Sequence, residues 1–142
     1  MLVKDVMTKS VVTAQLGSSV REVLALMDEG GFRHLPVMDN GEVIGMVSER
    51  DLAGIASFVD IFELGREAYE NYLNLPLFKV LKKRFLVARD VVVVDAQEPL
   101  QRAIRTMIDN KFRTLPVVQG NRDNLVGILS YIDILEALST FA

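Results

Sequence analysis

Residues 32–52 read FRHLPVMDNGEVIGMVSERDL, and residues 112–135 read FRTLPVVQGNRDNLVGILSYIDIL. The FRxLPV block recurs eighty positions along the chain, and the second copy then gains two residues in its turn. After that insertion the glycine, serine and aspartate of the pattern GxxSxxD recur as well, at Gly45, Ser48 and Asp51 in the first copy. Self-similarity of this kind is typical of a duplicated structural unit, so the repeat decides the fold.

Each copy predicts the same order of secondary structure elements. A β-branched run (residues 11–14 and 91–94) predicts a strand, and an amphipathic helix follows, beginning after Ser19 in the first copy and at Pro99 in the second. Two strands then flank a turn, which in the first copy is Asp39-Asn40-Gly41. In the second copy the strands flank a longer loop over residues 119–124. A second helix starts near Glu49 and Tyr131. The unit is therefore βαββα, and the fold class is α+β.

The chain divides into three parts. Residues 1–56 and 88–142 hold the two repeats, and residues 57–87 form a linker that is too long for a plain connection. The linker predicts an amphipathic helix over about 58–74 that is ended by Pro76 and packs on the repeats or on a second subunit. The basic run Lys82-Lys83-Arg84 is interpreted as a solvated surface.

Composition excludes several classes of function. The 142 residues carry 16 Lys and Arg against 19 Asp and Glu, a net charge of −3, with no Cys and one His. Disulfides, thiolate zinc sites, cysteine nucleophiles and two-histidine metal motifs are therefore excluded, and no metal site is predicted. No signal-peptide core or apolar run of membrane-spanning length occurs, which favours a cytoplasmic protein without a membrane partner. The acidic balance disfavours nucleic acid.

The repeated serine and aspartate allow two interpretations. In the first, Ser48 and Ser130 cap the following helices, and Asp51 and Asp133 complete a capping box three residues later. In the second, each aspartate accepts hydrogen bonds from the two hydroxyls of a ribose, while the serine and free N–H groups meet a phosphate. The residues alone favour the cap, and the two roles can coexist.

Other residues beside the repeated strands suggest ligand contacts. Arg33 and Arg113 precede the LPV strands, with His34 and Thr114 next to them; these basic groups could snorkel to water or bind phosphate. Pro36 and Pro116 could form a flat, dry slot for an adenine ring. No GxGxxG turn, GxxxxGK[ST] loop or GxSxG elbow is present, and no acid/base pair is recognisable, so an enzyme is not predicted.

These motifs resemble the cystathionine-β-synthase (CBS) domain family, as a tandem pair. The resemblance implies a pseudo-twofold module whose two clefts hold adenosine-containing ligands such as AMP, ADP, ATP or S-adenosylmethionine, with no cofactor required. It implies a homodimer and a regulated protein partner that the sequence does not name. The implied ligand-binding residues are, in the first copy, Val12, Thr13, Ala14, Arg33, His34, Pro36, Ser48, Arg50 and Asp51, and in the second, Val92, Val93, Arg113, Thr114, Pro116, Ser130 and Asp133.

The copies differ in ways that predict unequal sites. The D-V-M-T stretch at residues 5–8 becomes F-L-V-A at residues 85–88, and Thr114 replaces His34. We therefore expect the site around Asp51 to bind better than its counterpart. Three functions stay open: a sensor of adenine nucleotides, a ligand-free interaction module, and, least favoured, a nucleic-acid binder using Lys79, Lys82, Lys83 and Arg84.

Overall fold

The structure is a computed structural model, and it describes residues 1–9, 11–53, 65–81 and 92–140. They form two compact units, one for each repeat. The first-repeat unit comprises residues 12–39, 44–53 and 65–81. The second-repeat unit comprises residues 1–9, 11, 40–43 and 92–140. The start of the chain therefore belongs with the second repeat.

The first repeat follows the predicted order of elements. Its elements are β1 (Ala14–Gln15), α1 (Val20–Gly30), β2 (His34–Asp39), β3 (Glu42–Ser48) and α2, which is helical over residues 49–53. The strands form one sheet in the order β1-β2-β3, with β1 parallel to β2. Asn40 and Gly41 have φ angles of 51° and 78°, as a two-residue hairpin turn of type I′ requires.

The second repeat has the same architecture. Its elements are β4 (Val94–Asp95), α5 (Leu100–Asn110), β5 (Thr114–Gln119), β6 (Asn121–Ser130) and α6 (Tyr131–Ser139), and its sheet runs β4-β5-β6. The sequence predicted a loop over residues 119–124, but β6 already begins at Asn121. Two register shifts in the pairing of β5 with β6, on either side of Val118, accommodate the extra residues of β6. Bulges allow a strand to absorb inserted residues without losing its partner, which the residue pattern did not reveal.

The first strand of each repeat is shorter than predicted. The β-branched run at residues 11–14 pairs only from its last residue, where Ala14 lies opposite Val37. The same register recurs in the second repeat. One residue earlier, each ladder would meet a proline, Pro36 or Pro116, which has no N–H to contribute. The LPV segment therefore sets the length of the parallel pairing in both copies.

The linker completes the core of the first-repeat unit. Helices α3 (Gly65–Asn74) and α4 (Leu77–Val80) contribute Tyr72, Leu73 and Leu77 to the buried cluster around α1 and β2. The predicted helix is thereby confirmed over residues 65–74, and its packing on a repeat is confirmed as well. Residues 58–64 and the basic run 82–84 lie outside the described residues.

Backbone hydrogen bonds hold the linker against the start of α1. The N–H of Leu77 donates to the carbonyl of Ser18 (2.8 Å), and the N–H of Val20 donates to Leu75 (2.9 Å). Ser19 caps α1 by accepting a hydrogen bond from the N–H of Glu22 at 3.1 Å, as predicted. None of the helices in the described ranges has the length and apolar character needed to cross a membrane.

The N-terminal segment, residues 1–8, is built into the second-repeat unit. Val3 is fully buried in the core of that unit. Leu100 donates its N–H to Met1 (2.9 Å), and Val3 donates to Glu98 (2.9 Å). At the other end, Thr8 and Ile128 exchange backbone hydrogen bonds of 2.9 and 3.0 Å. The segment thus adds a short antiparallel bridge to β6.

Gly127 should be required for this docking. A Cβ at Gly127 would lie 2.6 Å from the sulfur of Met7 and 2.9 Å from the carbonyl oxygen of Thr8, so the backbone of the segment would have to move. We expect Gly127→Ala to lower the free energy of unfolding by about 1–3 kcal/mol, measured by urea denaturation. Gly17→Ala is the control, because nothing lies within 4 Å of its Cβ position. Equal stability of the two variants would contradict the prediction.

Candidate functional site

The predicted site of the first repeat lies where β3 passes into α2. The N–H of Glu49 donates to the carbonyl of Arg33 (2.8 Å), and the N–H of Asp51 donates to the Ser48 hydroxyl oxygen (3.1 Å). These bonds satisfy two of the N–H groups that a helix leaves free at its start. The structure therefore brings Arg33, Ser48 and Asp51 together around one turn of chain.

The second repeat reproduces this turn. The N–H of Tyr131 donates to Arg113 (3.0 Å), and the N–H of Asp133 donates to the Ser130 hydroxyl oxygen (3.1 Å). The N–H of Ser130 also donates to Oδ2 of Asp133 at 2.9 Å, which closes the capping box. The capping role of both serines is confirmed, and that of the aspartate is confirmed in the second repeat.

The two aspartates differ in what surrounds their carboxylates. Asp51 is exposed, and none of the described residues donates a hydrogen bond to its carboxylate oxygens. Asp133 is half-buried, and its Oδ1 accepts a hydrogen bond from the hydroxyl of Thr8 at 3.0 Å. Both oxygens of Asp133 are therefore engaged within the protein. Sequence reasoning missed Thr8, although the D-V-M-T difference between the copies was its signal.

The predicted phosphate-binding residues lie at the same end of each sheet. Arg33, Arg50 and Arg113 are exposed. His34 and Thr114 are the first residues of β2 and β5 and are half-buried. A guanidinium in water can turn toward an anion without breaking an internal contact. The role of these five residues stays a prediction.

The predicted adenine-contacting residues are mostly sheltered from solvent. Pro36, Pro116 and Ala14 are buried within the sheets, whereas Val12, Thr13, Val92 and Val93 are half-buried just before β1 and β4. Because the ladders begin only at Ala14 and Val94, the backbone N–H and carbonyl groups of the preceding residues are not used in strand pairing. Whether these groups contact a base stays a prediction.

Helix α2 is held in place by a tyrosine of the linker. The hydroxyl of Tyr72 donates a buried hydrogen bond to the carbonyl of Leu52, at 2.8 Å, one residue beyond Asp51. Burial, with a smaller contribution from Tyr69 beside it, raises the pKa of Tyr72 from its usual 10.0 to about 12. The apolar stripe in the linker predicted a packed tyrosine, but only the structure reveals its bond to α2.

Tyr72→Phe should weaken this support and change the alkaline stability. We expect a loss of about 1 kcal/mol in the free energy of unfolding at pH 7. The folded protein holds the phenolic proton more tightly than the unfolded chain does. The contribution of the Tyr72 hydroxyl to the free energy of unfolding is therefore complete below about pH 10 and is lost as pH rises toward about 12. The variant should therefore lose less stability over this range. The control is Tyr131→Phe, at a side chain 46 % exposed. Identical alkaline profiles for Tyr72→Phe and wild type in urea titrations would contradict this.

Two carboxylates outside the predicted site, those of Asp95 and Glu98, have pKa values shifted by their surroundings. Asp95 accepts hydrogen bonds from the N–H groups of Gly120 (3.0 Å) and Gln97 (2.9 Å), which lower the pKa of Asp95. Burial raises the pKa of Glu98, while the nearby charge of Arg102 opposes this shift. Within residues 1–9, 11–53, 65–81 and 92–140, no three His, Asp or Glu side chains are grouped to hold a metal ion.

The comparison with known protein families agrees with the repeat. The sequence model of the CBS domain family matches residues 3–57 and 83–140. The chain belongs to the CBS domain family. Among curated relatives, protein MJ0188 of Methanocaldococcus jannaschii is 33 % identical over 135 residues, which covers 95 % of this chain and 43 % of that protein. The chain thus spans less than half the length of this relative.

Solved structures share the fold of this CBS domain protein over its whole length. The structure of CBSX2 in complex with AMP has a TM-score of 0.72 and 26 % sequence identity, covering 99 % of this chain and 97 % of that one. The CBS domain pair of protein MJ0100, in complex with 5′-methylthioadenosine and S-adenosylmethionine, has a TM-score of 0.74 and 23 % identity, covering 100 % and 98 %. At that identity the second likeness establishes the fold alone. The α+β tandem CBS pair predicted from the sequence is confirmed.

Proposed function

We propose that this CBS domain protein is a regulatory module that binds an adenosine-containing ligand, with the first-repeat site around Asp51 as the stronger site. The observation that carries the proposal is the exposed carboxylate of Asp51, to which no residue in the described part of the chain donates a hydrogen bond. It lies beside the start of α2, at a turn fixed by Ser48 and Arg33. A similar protein, CBSX2, has been solved with AMP, which supports this class of ligand.

The proposed ligand has three parts that match the chemistry of the first repeat. An ionised carboxylate can accept hydrogen bonds from both hydroxyls of a ribose. Exposed arginines, here Arg33 and Arg50, can bind a phosphate together with His34 and the start of α2. Adenine would lie against the backbone of residues 12–14 and Pro36. S-adenosylmethionine, ADP and ATP share the adenosine and stay candidates.

The second repeat offers the corresponding residues for a weaker site. Arg113 and Thr114 would meet phosphate, Ser130 and Asp133 the ribose, and Val92, Val93 and Pro116 the base. Since Asp133 already accepts two hydrogen bonds within the protein, it has fewer acceptor positions left for a ribose than an aspartate without such bonds. Regulation, rather than catalysis, is the proposed output, acting on a protein partner in the cytoplasm without a required cofactor.

A thermal-shift panel tests the proposal. The panel comprises AMP, ADP, ATP, NAD and S-adenosylmethionine, and 2′-deoxy-AMP is the matched control because it lacks one hydroxyl of the diol. A ligand at a hundred times its Kd adds about 2.7 kcal/mol, which raises Tm by several degrees. We expect AMP to raise Tm more than 2′-deoxy-AMP at equal concentration. No shift with any adenosine compound would overturn the proposal.

A second candidate function is dimerisation, which α6 supports. Ile132, Leu135 and Leu138 are 46 %, 56 % and 54 % exposed, and their spacing places them along one side of the helix. Contiguous exposed apolar side chains are typical of interaction surfaces. We propose that a second copy of the chain covers this stripe, as the predicted homodimer requires.

Leu135→Glu should therefore separate the proposed dimer. A charge in the middle of an apolar contact loses its hydration without gaining a partner, so the protein should sediment as a monomer. Glu136→Lys changes the charge of the neighbouring exposed residue and should leave the dimer intact. If wild type is a monomer at micromolar concentration, the dimer proposal is wrong.

The third function, nucleic-acid binding, has a test of its own. Salt-dependent binding of RNA by the wild-type protein would favour it over the other two functions.

A further inference from the structure

The linker holds the stretch of chain that follows residues 12–14, where the base of the proposed ligand would lie. The N–H of Leu77 donates to the carbonyl of Ser18 at 2.8 Å, and the N–H of Phe78 donates to the carbonyl of Leu16 at 3.2 Å. Hydrogen bonds between two backbones fix their separation, because they weaken steeply when the distance or the angle changes. The base side of the first-repeat site therefore rests on the start of α4.

The same linker holds α2, the helix that carries Asp51. The hydroxyl of Tyr72 donates to the carbonyl of Leu52 at 2.8 Å, and this bond is buried. Leu52 directly follows Asp51 and belongs to the same buried cluster as Tyr72. A displacement of Tyr72 would therefore either break this bond or move the first turn of α2 with it.

The two attachments lie on one short and well-fixed stretch of chain. Only residues 73–76 separate Tyr72 from Leu77. The N–H of Leu75 donates to the carbonyl of Tyr72 at 3.1 Å, and its own carbonyl accepts the N–H of Val20 at 2.9 Å. Pro76 restricts the backbone between them, because its ring fixes φ, here at −71°. We call residues 72–78 the linker strap.

We propose that the linker strap sets the spacing between the base-binding backbone of residues 12–14 and Asp51, with Tyr72 as the positioning residue. A ligand that contacts both stretches at once binds only the molecules in which that spacing is kept, so its affinity follows their fraction. Tyr72 acts through α2 and does not contact the ligand. This inference rests on the proposed function, because it concerns the affinity of the same site for the same class of ligand.

The proposal makes the linker strap the part of the first repeat that responds to an occupied site. Coupling between two sites is reciprocal, so a ligand that favours the spacing also strengthens the bonds of the strap by the same factor. One net hydrogen bond corresponds to about a fivefold change in an equilibrium constant, which sets the size of the expected effect.

Calorimetric titration of Tyr72→Phe with AMP tests the positioning role. The variant keeps the ring that fills the core and loses only the hydroxyl, so α2 is no longer tied to the strap. We expect the Kd for AMP to rise about threefold to fivefold, with unchanged stoichiometry. A loss of global stability alone would leave this Kd unchanged, because nearly all molecules stay folded at pH 7.

Leu73→Val is the matched control, at the next residue of the same helix. Leu73 is buried in the same cluster as Tyr72 but has no polar group. Its truncation should lower the urea midpoint without raising the Kd for AMP. If the two variants raise the Kd equally, loosened packing of α3 is the cause, and the role of the Tyr72 hydroxyl is wrong.

The outcomes separate this inference from the proposed function. If Asp51→Ala weakens AMP binding but Tyr72→Phe binds AMP as wild type does, the positioning role is wrong while the proposed function stands. If wild type binds no AMP, both are wrong.

Amide hydrogen exchange of the wild-type protein gives a second measurement that needs no variant. AMP, at concentrations that fill only the first equivalent, should slow exchange at Leu77 and Phe78 several-fold more than at Ala96. The N–H of Ala96 donates to the carbonyl of Val118 at 2.9 Å in the second-repeat unit, so it serves as the reference amide. Equal protection of the three amides would overturn the proposed coupling.

Discussion

Asp51→Ala should weaken AMP binding by about a hundredfold or more. A carboxylate that accepts two hydrogen bonds from a ribose contributes about 3 kcal/mol, and every 1.4 kcal/mol is tenfold in Kd. The fold should persist, because Asp51 is exposed and the Ser48 cap accepts the N–H of residue 51, which alanine retains. Calorimetric titration of wild type and variant with AMP measures the change directly.

The control for Asp51→Ala is a second exposed acid of the same unit. Asp28 lies near the end of α1 and is also exposed, so Asp28→Ala removes the same charge away from the turn before α2. We expect its Kd for AMP to stay within about twofold of wild type, because exposed charges at a distance are screened by salt. If both variants bind AMP as wild type does, Asp51 is a helix residue without a ligand role.

Leu77→Ala should cause the largest loss of stability that we predict, about 3 kcal/mol in the free energy of unfolding. Leu77 is fully buried in the core of the first-repeat unit although it comes from the linker, so its truncation leaves a cavity beside α1 and β2. Urea denaturation followed by circular dichroism measures the loss. A small effect would show that the linker does not belong to this core.

Phe78→Ala is the matched control for Leu77→Ala, at the next residue of the same helix. The Phe78 side chain is 44 % exposed, so its removal should cost within about 1 kcal/mol. Its N–H, which donates to the carbonyl of Leu16 at 3.2 Å, is retained by alanine. The difference between the two variants therefore reports the buried side chain rather than disturbance of α4.

The local elements were predictable because their causes are local. The Asn-Gly turn between β2 and β3 needs two residues with positive φ, and the Ser-x-x-Asp spacing places a hydroxyl within reach of the helix start. The extents of β1 and β6 were not predictable in the same way. Strand length depends on the partner, here on Pro36 in the adjacent strand and on the register shifts around Val118.

By itself the sequence determined the duplicated βαββα unit, the caps at Ser48 and Ser130, and the candidate residues around each turn, because these follow from periodicity and spacing within one copy. Only the tertiary structure decided which repeat the N-terminal segment joins, that Tyr72 supports α2, and that Thr8 donates to Asp133. Thr8 and Asp133 are separated by 125 positions, and no local pattern encodes a contact at that distance. The two copies are therefore alike as sequences but differ in structure at this turn, because Thr8 donates to the carboxylate of Asp133 whereas Asp51 is exposed.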